Sequence, residues 1–134
     1  MMVIEAKAHP AGLTITSSGH VGYAERGRDI VCAGVSALLF AYLSYVTGCD
    51  AYASEPASGG RPVSDDRPTP GRNGQGWVTY HVGDGYLKIY TRGLLGVDLE
   101  AWRVTAAGLL LIAQSYPTYI QLNLNRKGEL HGSR

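Results

Sequence analysis

Charge is sparse in this chain. Asp, Glu, Lys and Arg make up 17% of its 134 residues, against roughly 25% in an average globular domain. Twelve Lys and Arg against eleven Asp and Glu leave a net charge of +1, with no run of like sign. The basic footprint that phosphate binding needs is missing, so direct nucleic-acid binding is not expected. Cysteine is scarcer still. Cys32 and Cys49 cannot make a disulfide framework, and seventeen helical residues would hold them ~25 Å apart, beyond the ~7 Å Cα limit for a bridge. Free thiols suit a reducing compartment. The opening MMVIEAKAHP has an acid and a base within seven positions and no apolar h-region, so a signal peptide is not expected and the cytoplasm is the expected location. His9, His20, His81 and His131 show none of the short ligand spacings of zinc sites, and Gly83-Asp84-Gly85 reads as a hairpin turn rather than a phosphate loop. No metal or cofactor is expected.

Apolar residues, at 45%, are as frequent as in any globular protein, and glycine is abundant at 18 residues. The length fits one domain over 1–134. Residues 2–8 and 13–17 are short β-favouring runs around His9-Pro10-Ala11-Gly12, an opening hairpin. Residues 18–28 hold Gly19, Gly22 and Gly27 with Glu25, Arg26 and Arg28, a loop. From Ile30 to Thr47 the apolar positions Val31, Val35, Leu38, Leu39, Tyr42, Tyr45 and Val46 trace one helical face, with Asp29 as N-cap and Gly48 just past the end. Twenty residues without a charge lie between Asp29 and Asp50, which raises the rival reading of a membrane span. Gly34, Ser36, Ser44 and Thr47 dilute the run and no cationic cluster follows it, so a buried helix is expected.

Residues 51–76 contain four of the six prolines and balanced charges, a flexible surface insert with no element. A second hairpin follows over 77–82 and 86–91. A second helix over 97–116 contains Leu99, Trp102, Val104, Ala106, Leu109, Leu110 and Ala113 and is stopped by Pro117, and a strand at 119–124 closes the chain. The order ββαββαβ predicts an α+β fold, its two main helices packed on a mixed or antiparallel sheet.

With Asp29 as N-cap, Cys32 takes the third helical position, where unpaired N–H groups and the positive dipole end favour a thiolate. His20 lies twelve residues earlier in the glycine-rich loop, which can fold back to pair imidazole with thiol for acyl transfer. The N–H groups of Ile30, Val31 and Cys32 would suit an oxyanion. The competing expectation is a buried structural cysteine and a structural histidine. Asp29 is most simply a helix cap, with orientation of His20 as its other role. Ser36, one turn after Cys32, could touch thiolate or substrate, or bond back to the Cys32 carbonyl. Gly19, Gly22 and Gly27 allow loop conformations that a Cβ forbids, and with them closure over substrate. Cys49 is expected to be an inert buried thiol.

Residues 19–36, Gly-His-Val-Gly-Tyr-Ala-Glu-Arg-Gly-Arg-Asp-Ile-Val-Cys-Ala-Gly-Val-Ser, resemble the signature of the ribosomal-processing cysteine protease (Prp) family. That signature joins Gly-His, a small residue and Gly through a short loop to Asp-Ile/Val-Val-Cys-Ala-Ala/Gly-Val/Ile-Ser. The opening hairpin, the helix ending before Tyr-Pro and the closing Tyr-Ile strand also fall in the family's order. Two departures stand out: Val21 replaces the usual Ala or Ser, and the 51–76 insert is longer than the family's connection. The resemblance implies a cytoplasmic cysteine protease that removes an N-terminal extension from a large-subunit ribosomal protein precursor, cutting after an aromatic residue. His20 and Cys32 would be its catalytic pair, and a homodimer its assembly, without membrane attachment. The alternatives are a protease acting on a phage structural protein, or a non-catalytic ribosome-assembly or phage-associated module on the same scaffold.

Overall fold

The computed structural model describes residues 1–9, 12–20, 22, 24, 29–48, 65–94 and 96–125. Strands β1 (Met2–His9) and β2 (Gly12–Ser18) form the opening hairpin, in register from Val3↔Ser18 to His9↔Gly12. Helix α1 (Ile30–Val46), strand β3 (Asp65–Pro70), a 3-10 turn (Arg72–Gly74), strands β4 (Trp77–Gly83) and β5 (Tyr86–Arg92), helix α2 (Gly96–Ser115) and strand β6 (Ile120–Asn125) follow. The six strands lie in the order β3-β4-β5-β2-β1-β6. Every neighbouring pair is antiparallel except β1 with β6. Strands β5 and β6 therefore point the same way, and α2 is the crossover that parallel strands require. The α+β reading holds, and the sheet is mixed.

The insert needs correction. Residues 51–64 lie outside the described residues, but the second half, expected to carry no element, contains β3 and the 3-10 turn. Asp-Asp-Arg-Pro-Thr-Pro has no alternating apolar pattern, yet it pairs with β4 from Asp65↔Tyr80 to Pro70↔Trp77 across an irregular register. Two prolines are tolerated because β3 is an edge strand, where one side of the backbone needs no ladder partner. The turn also closes the end of α1. That helix has no basic residue in its last turn; Thr47 and Gly48 serve the Leu43, Ser44 and Tyr45 carbonyls locally, and the Tyr45 carbonyl has room for a second donor. Arg72 supplies one: its Nε donates to the Tyr45 carbonyl at 2.8 Å, and its guanidinium lies 4.1 Å over the Tyr45 ring. Arg72→Ala removes a charged hydrogen bond, a cation–π contact and a cation at a helix C-terminus. The expected loss is about 1–2 kcal/mol, read as a lower urea midpoint at unchanged slope.

Burial alternates along the strands. Met2, Ile4 and Ala6 of β1, Leu13 and Ile15 of β2, Val78 of β4 and Leu87 and Ile89 of β5 are buried, whereas Glu5, Lys7, Lys88 and Arg92 are exposed. One face of the sheet is therefore covered and the other open, the usual result when helices pack on one side of a largely antiparallel sheet. Helix α1 covers it with Val31, Val35, Leu39, Leu43 and Val46. Helix α2 runs antiparallel beside α1, with Gly34 facing Ile112, Leu38 facing Gly108 and the Tyr42 and Trp102 rings edge to face at 5.6 Å. A Cβ on Gly108 would lie 2.9 Å from the Leu38 side chain, so glycine there sets the helix separation. Of the apolar residues of α2, Trp102 and Leu109 enter the core while Leu99, Val104, Leu110 and Leu111 are exposed. No helix among the described residues is long and apolar enough to cross a membrane.

Candidate active site

Helix α1 begins where the sequence places it. The Asp29 carboxylate accepts a hydrogen bond from the Cys32 amide at 2.9 Å, and the Ala33 amide bonds the Asp29 carbonyl at 3.0 Å. Asp29 is thus the N-cap, a contact worth about 1 kcal/mol, and it holds Cys32 in the first turn. One expectation changes as a result. The Cys32 N–H is already taken, so Ile30 and Val31 are the remaining candidate oxyanion donors. Cys32 is a free, half-buried thiol packed against the core. Ser36 is half-buried one turn further on. Cys49 and Gly27 lie outside the described residues.

His20 lies two residues beyond β2 and is exposed. Its seat is the turn between β4 and β5. The Gly19 amide donates to the Gly85 carbonyl at 2.9 Å, and a Cβ on Gly85 would lie 2.7 Å from the His20 Nε2. The imidazole thus rests on bare backbone. Gly19 and Gly85 have φ of 90° and 70°, in the left-handed region that favours glycine. Gly22 has φ of 75°, and there the backbone conformation alone calls for glycine, because a Cβ would meet nothing within 4 Å.

The fold brings His20 and Cys32 to one end of the sheet. Ser18 pairs with Tyr86 at the end that carries His20, whereas Gly12 and Trp77 pair with Arg92 at the opposite end. Arg72, next to that opposite end, grips the C-terminus of α1. Seventeen residues at about 1.5 Å each carry the N-terminus of α1 about 25 Å back along the sheet, to the His20 end.

A second polar cluster is excluded by position. Burial holds the Tyr42 phenol well above its ordinary value; a hydrogen bond with Thr91 offsets part of this and the charge of Asp98 adds to it. Asp98 Oδ1 is buried without a hydrogen-bond partner. Tyr42 is nearly three helical turns from Cys32, about 15 Å along α1. Among the described residues no three His, Cys, Asp or Glu side chains converge as metal ligands.

A family model described as cysteine protease Prp matches residues 2–74, the span that contains both His20 and Cys32. The chain is a Prp-family cysteine protease. The fold of this Prp-family chain agrees. It is similar to an essential ribosomal processing protease Prp from S. aureus in complex with a covalently linked product peptide, at 21% identity and TM-score 0.65, covering 93% of this chain and all of that one. It is also similar to the same S. aureus protease in complex with a substrate peptide, at 22% identity and TM-score 0.56 with the same coverage. A third similar structure is SMU.848 from Streptococcus mutans, at 18% identity and TM-score 0.54, covering 93% of this chain and 94% of that one. No curated protein sequence matches the chain. Gly85 is the residue of the candidate site that sequence reasoning misses. Its local pattern marks only a hairpin turn, and nothing nearby in sequence signals that the turn supports a histidine carried by another strand.

Proposed function

We propose that this protease cleaves an N-terminal extension from a large-subunit ribosomal protein precursor, with Cys32 as nucleophile and His20 as general base. The observation that carries the reading is the placement of a half-buried thiol in the first turn of α1, at the sheet end that holds the His20 imidazole. Cys32 Sγ attacks the scissile carbonyl carbon while its proton passes to His20, and the developing oxyanion is met by first-turn N–H groups. Collapse expels the amine, which takes the proton from His20 and leaves a thioester. Water, deprotonated by His20, then releases the new carboxylate and restores the thiol. Asp29 fixes the helix start, and Ser36 lies near enough along α1 to border the substrate. Gly19 and Gly22, both at left-handed φ, give the backbone after β2 the conformations that place His20. The processing reading is supported by the S. aureus proteases of the same fold, which are ribosomal processing enzymes with product or substrate peptide bound. A free thiol in this role suits the cytoplasm.

The test is incubation of the purified protein with a ribosomal protein precursor and N-terminal sequencing of the product. Cleavage after an aromatic residue is expected, and an intact precursor would overturn the reading.

The outer surface of the helix layer supports a homodimer. Val104 is 73% exposed and Leu111 65%, alongside Ile30, and α1 adds exposed Ala33, Ala37 and Ala41 without a charge. Such a surface fits a second copy. Val104→Asp combined with Leu111→Asp is expected to shift the elution volume and light-scattering mass from dimer to monomer. A wild-type protein that is monomeric at micromolar concentration would refute the assignment.

A further inference from the structure

Helix α1 is covered unevenly along one of its sides. At about 100° per residue, Cys32 and Leu43 point within about 20° of each other. Leu43 is fully buried, whereas Cys32 is half-buried. Ser36 and Phe40, on the same side as Cys32, are half-buried as well. The cover over this side is therefore complete at the C-terminal end of α1 and incomplete towards the thiol. It is the side turned away from α2: Gly34 and Leu38 face that helix, and Ser36 lies about half a turn from both.

Strand β4 shows the matching change. Its core-facing side chains are Val78, Tyr80 and Val82, paired with Thr91, Ile89 and Leu87 of β5. The three β5 residues are all buried, and so is Val78. Tyr80 and Val82, nearer the His20 end, are only half-buried. The margin of the helix layer thus runs between β5 and β4 and leaves β4 partly covered at the end where Cys32 sits. Helix α2 packs against β6 at the far side of the sheet, so the incompletely covered side of α1 is the one that faces β4.

We infer that the space between this side of α1 and β4 is a groove for an extended apolar segment of the substrate, with Phe40, Tyr80 and Val82 as specificity-determining residues. The inference rests on Cys32 as the nucleophile. Ser36 and Phe40 form the wall, Tyr80 and Val82 the floor, and Cys32 stands at the open end. None of these wall and floor side chains is an acid or a base. A charged substrate side chain would lose hydration there without gaining a partner, so apolar ones are selected. The length of the groove is set by α1. From Cys32 to Phe40 the helix rises about 12 Å, and beyond it Leu43 is closed over. An extended peptide advances roughly 3.3 Å per residue, so three or four residues fit, with alternate side chains turned to the floor.

Disulfide capture reads the groove without depending on cleavage. The full chain carrying Cys49→Ser, with Cys32 as its one thiol, is equilibrated in 2-mercaptoethanol with tetrapeptides that carry a cysteine at either end. Their other three residues are Leu in one set and Asn, of similar shape and uncharged, in the other. Intact mass gives the fraction captured on Cys32. In one of the two orientations the Leu peptide is expected to be captured on the order of tenfold more strongly than the Asn peptide. Val82→Thr, which keeps a β-branched residue in the strand, and Tyr80→Ser should each shrink that ratio, so the test stands even if one variant fails to fold. Equal capture of Leu and Asn peptides in both orientations overturns the inference, as does a ratio that the folded variants leave unchanged. Precursor cleavage by the same protein is measured alongside. Cleavage without a capture preference removes the groove alone, and an intact precursor beside a clear preference counts against the proteolytic reading alone.

Discussion

Cys32→Ala is expected to reduce peptide cleavage to background, and His20→Ala to slow it by roughly 10²–10⁴-fold, the usual contribution of a general base. The two losses have different origins. Without the sulfur no thioester forms, and water alone attacks the peptide. Without the imidazole the thiol remains, but its proton has no acceptor at attack and the leaving amine no donor at collapse. Neither variant should unfold. Alanine is a favourable helix residue in the first turn of α1, and the Asp29 cap accepts from the backbone amide of residue 32, which the substitution preserves. His20 is exposed at the end of β2, so its removal empties no core volume. Steady-state cleavage of an aromatic-containing extension peptide, with circular dichroism melts beside it, measures both. Full activity in Cys32→Ala would remove the thiol from the mechanism.

Gly85→Ala should cost the enzyme on the order of 10²-fold in kcat through its contact with His20. Its new methyl would sit 2.7 Å from Nε2 of His20, closer than real side chains approach, and the ring must move. A displacement of about 1 Å in a catalytic group has consequences of that size. The loss should fall on kcat more than KM, because the imidazole acts in proton transfer rather than in holding the peptide. Some destabilisation accompanies it, about 1–2 kcal/mol for alanine at φ of 70°. Gly83→Ala is the control in the same turn. Its Cβ would meet nothing nearer than 3.9 Å, from Tyr86, and its backbone is not left-handed. Near-normal kcat in Gly83→Ala beside a large loss in Gly85→Ala separates the seating of His20 from general damage to the hairpin.

The parts of this protein that are legible in sequence are those governed by local spacing. The 3.6-residue pattern from Val31 to Val46, bracketed by Asp29 and Gly48, yields α1 with its cap where expected. The alternation around Gly83-Asp84-Gly85 yields β4 and β5. Strand β3 is not legible, because its Asp, Arg and Pro residues carry no strand signal and its conformation comes from pairing with Trp77 and Tyr80. Helix α2 is legible in extent but not in orientation: Val104 and Leu111 are as apolar as Leu109, and only tertiary packing decides which of them faces α1. In the site, the helix position of Cys32 can be read from Asp29. The support of His20 by Gly85 cannot, since it depends on β2 and β5 lying side by side in the sheet.

The most direct measurement is covalent labelling by a peptide chloromethyl ketone with an aromatic residue at the position before the reactive group, followed by intact mass and peptide mapping. Such a reagent alkylates fastest the nucleophile beside which its peptide is bound. One adduct per chain is expected, on Cys32, forming much more slowly in His20→Ala and blocked by an excess of extension peptide. An adduct on Cys49 instead, or labelling of Cys32 at the same rate with and without His20, would contradict the assignment of Cys32 and His20 as the catalytic pair.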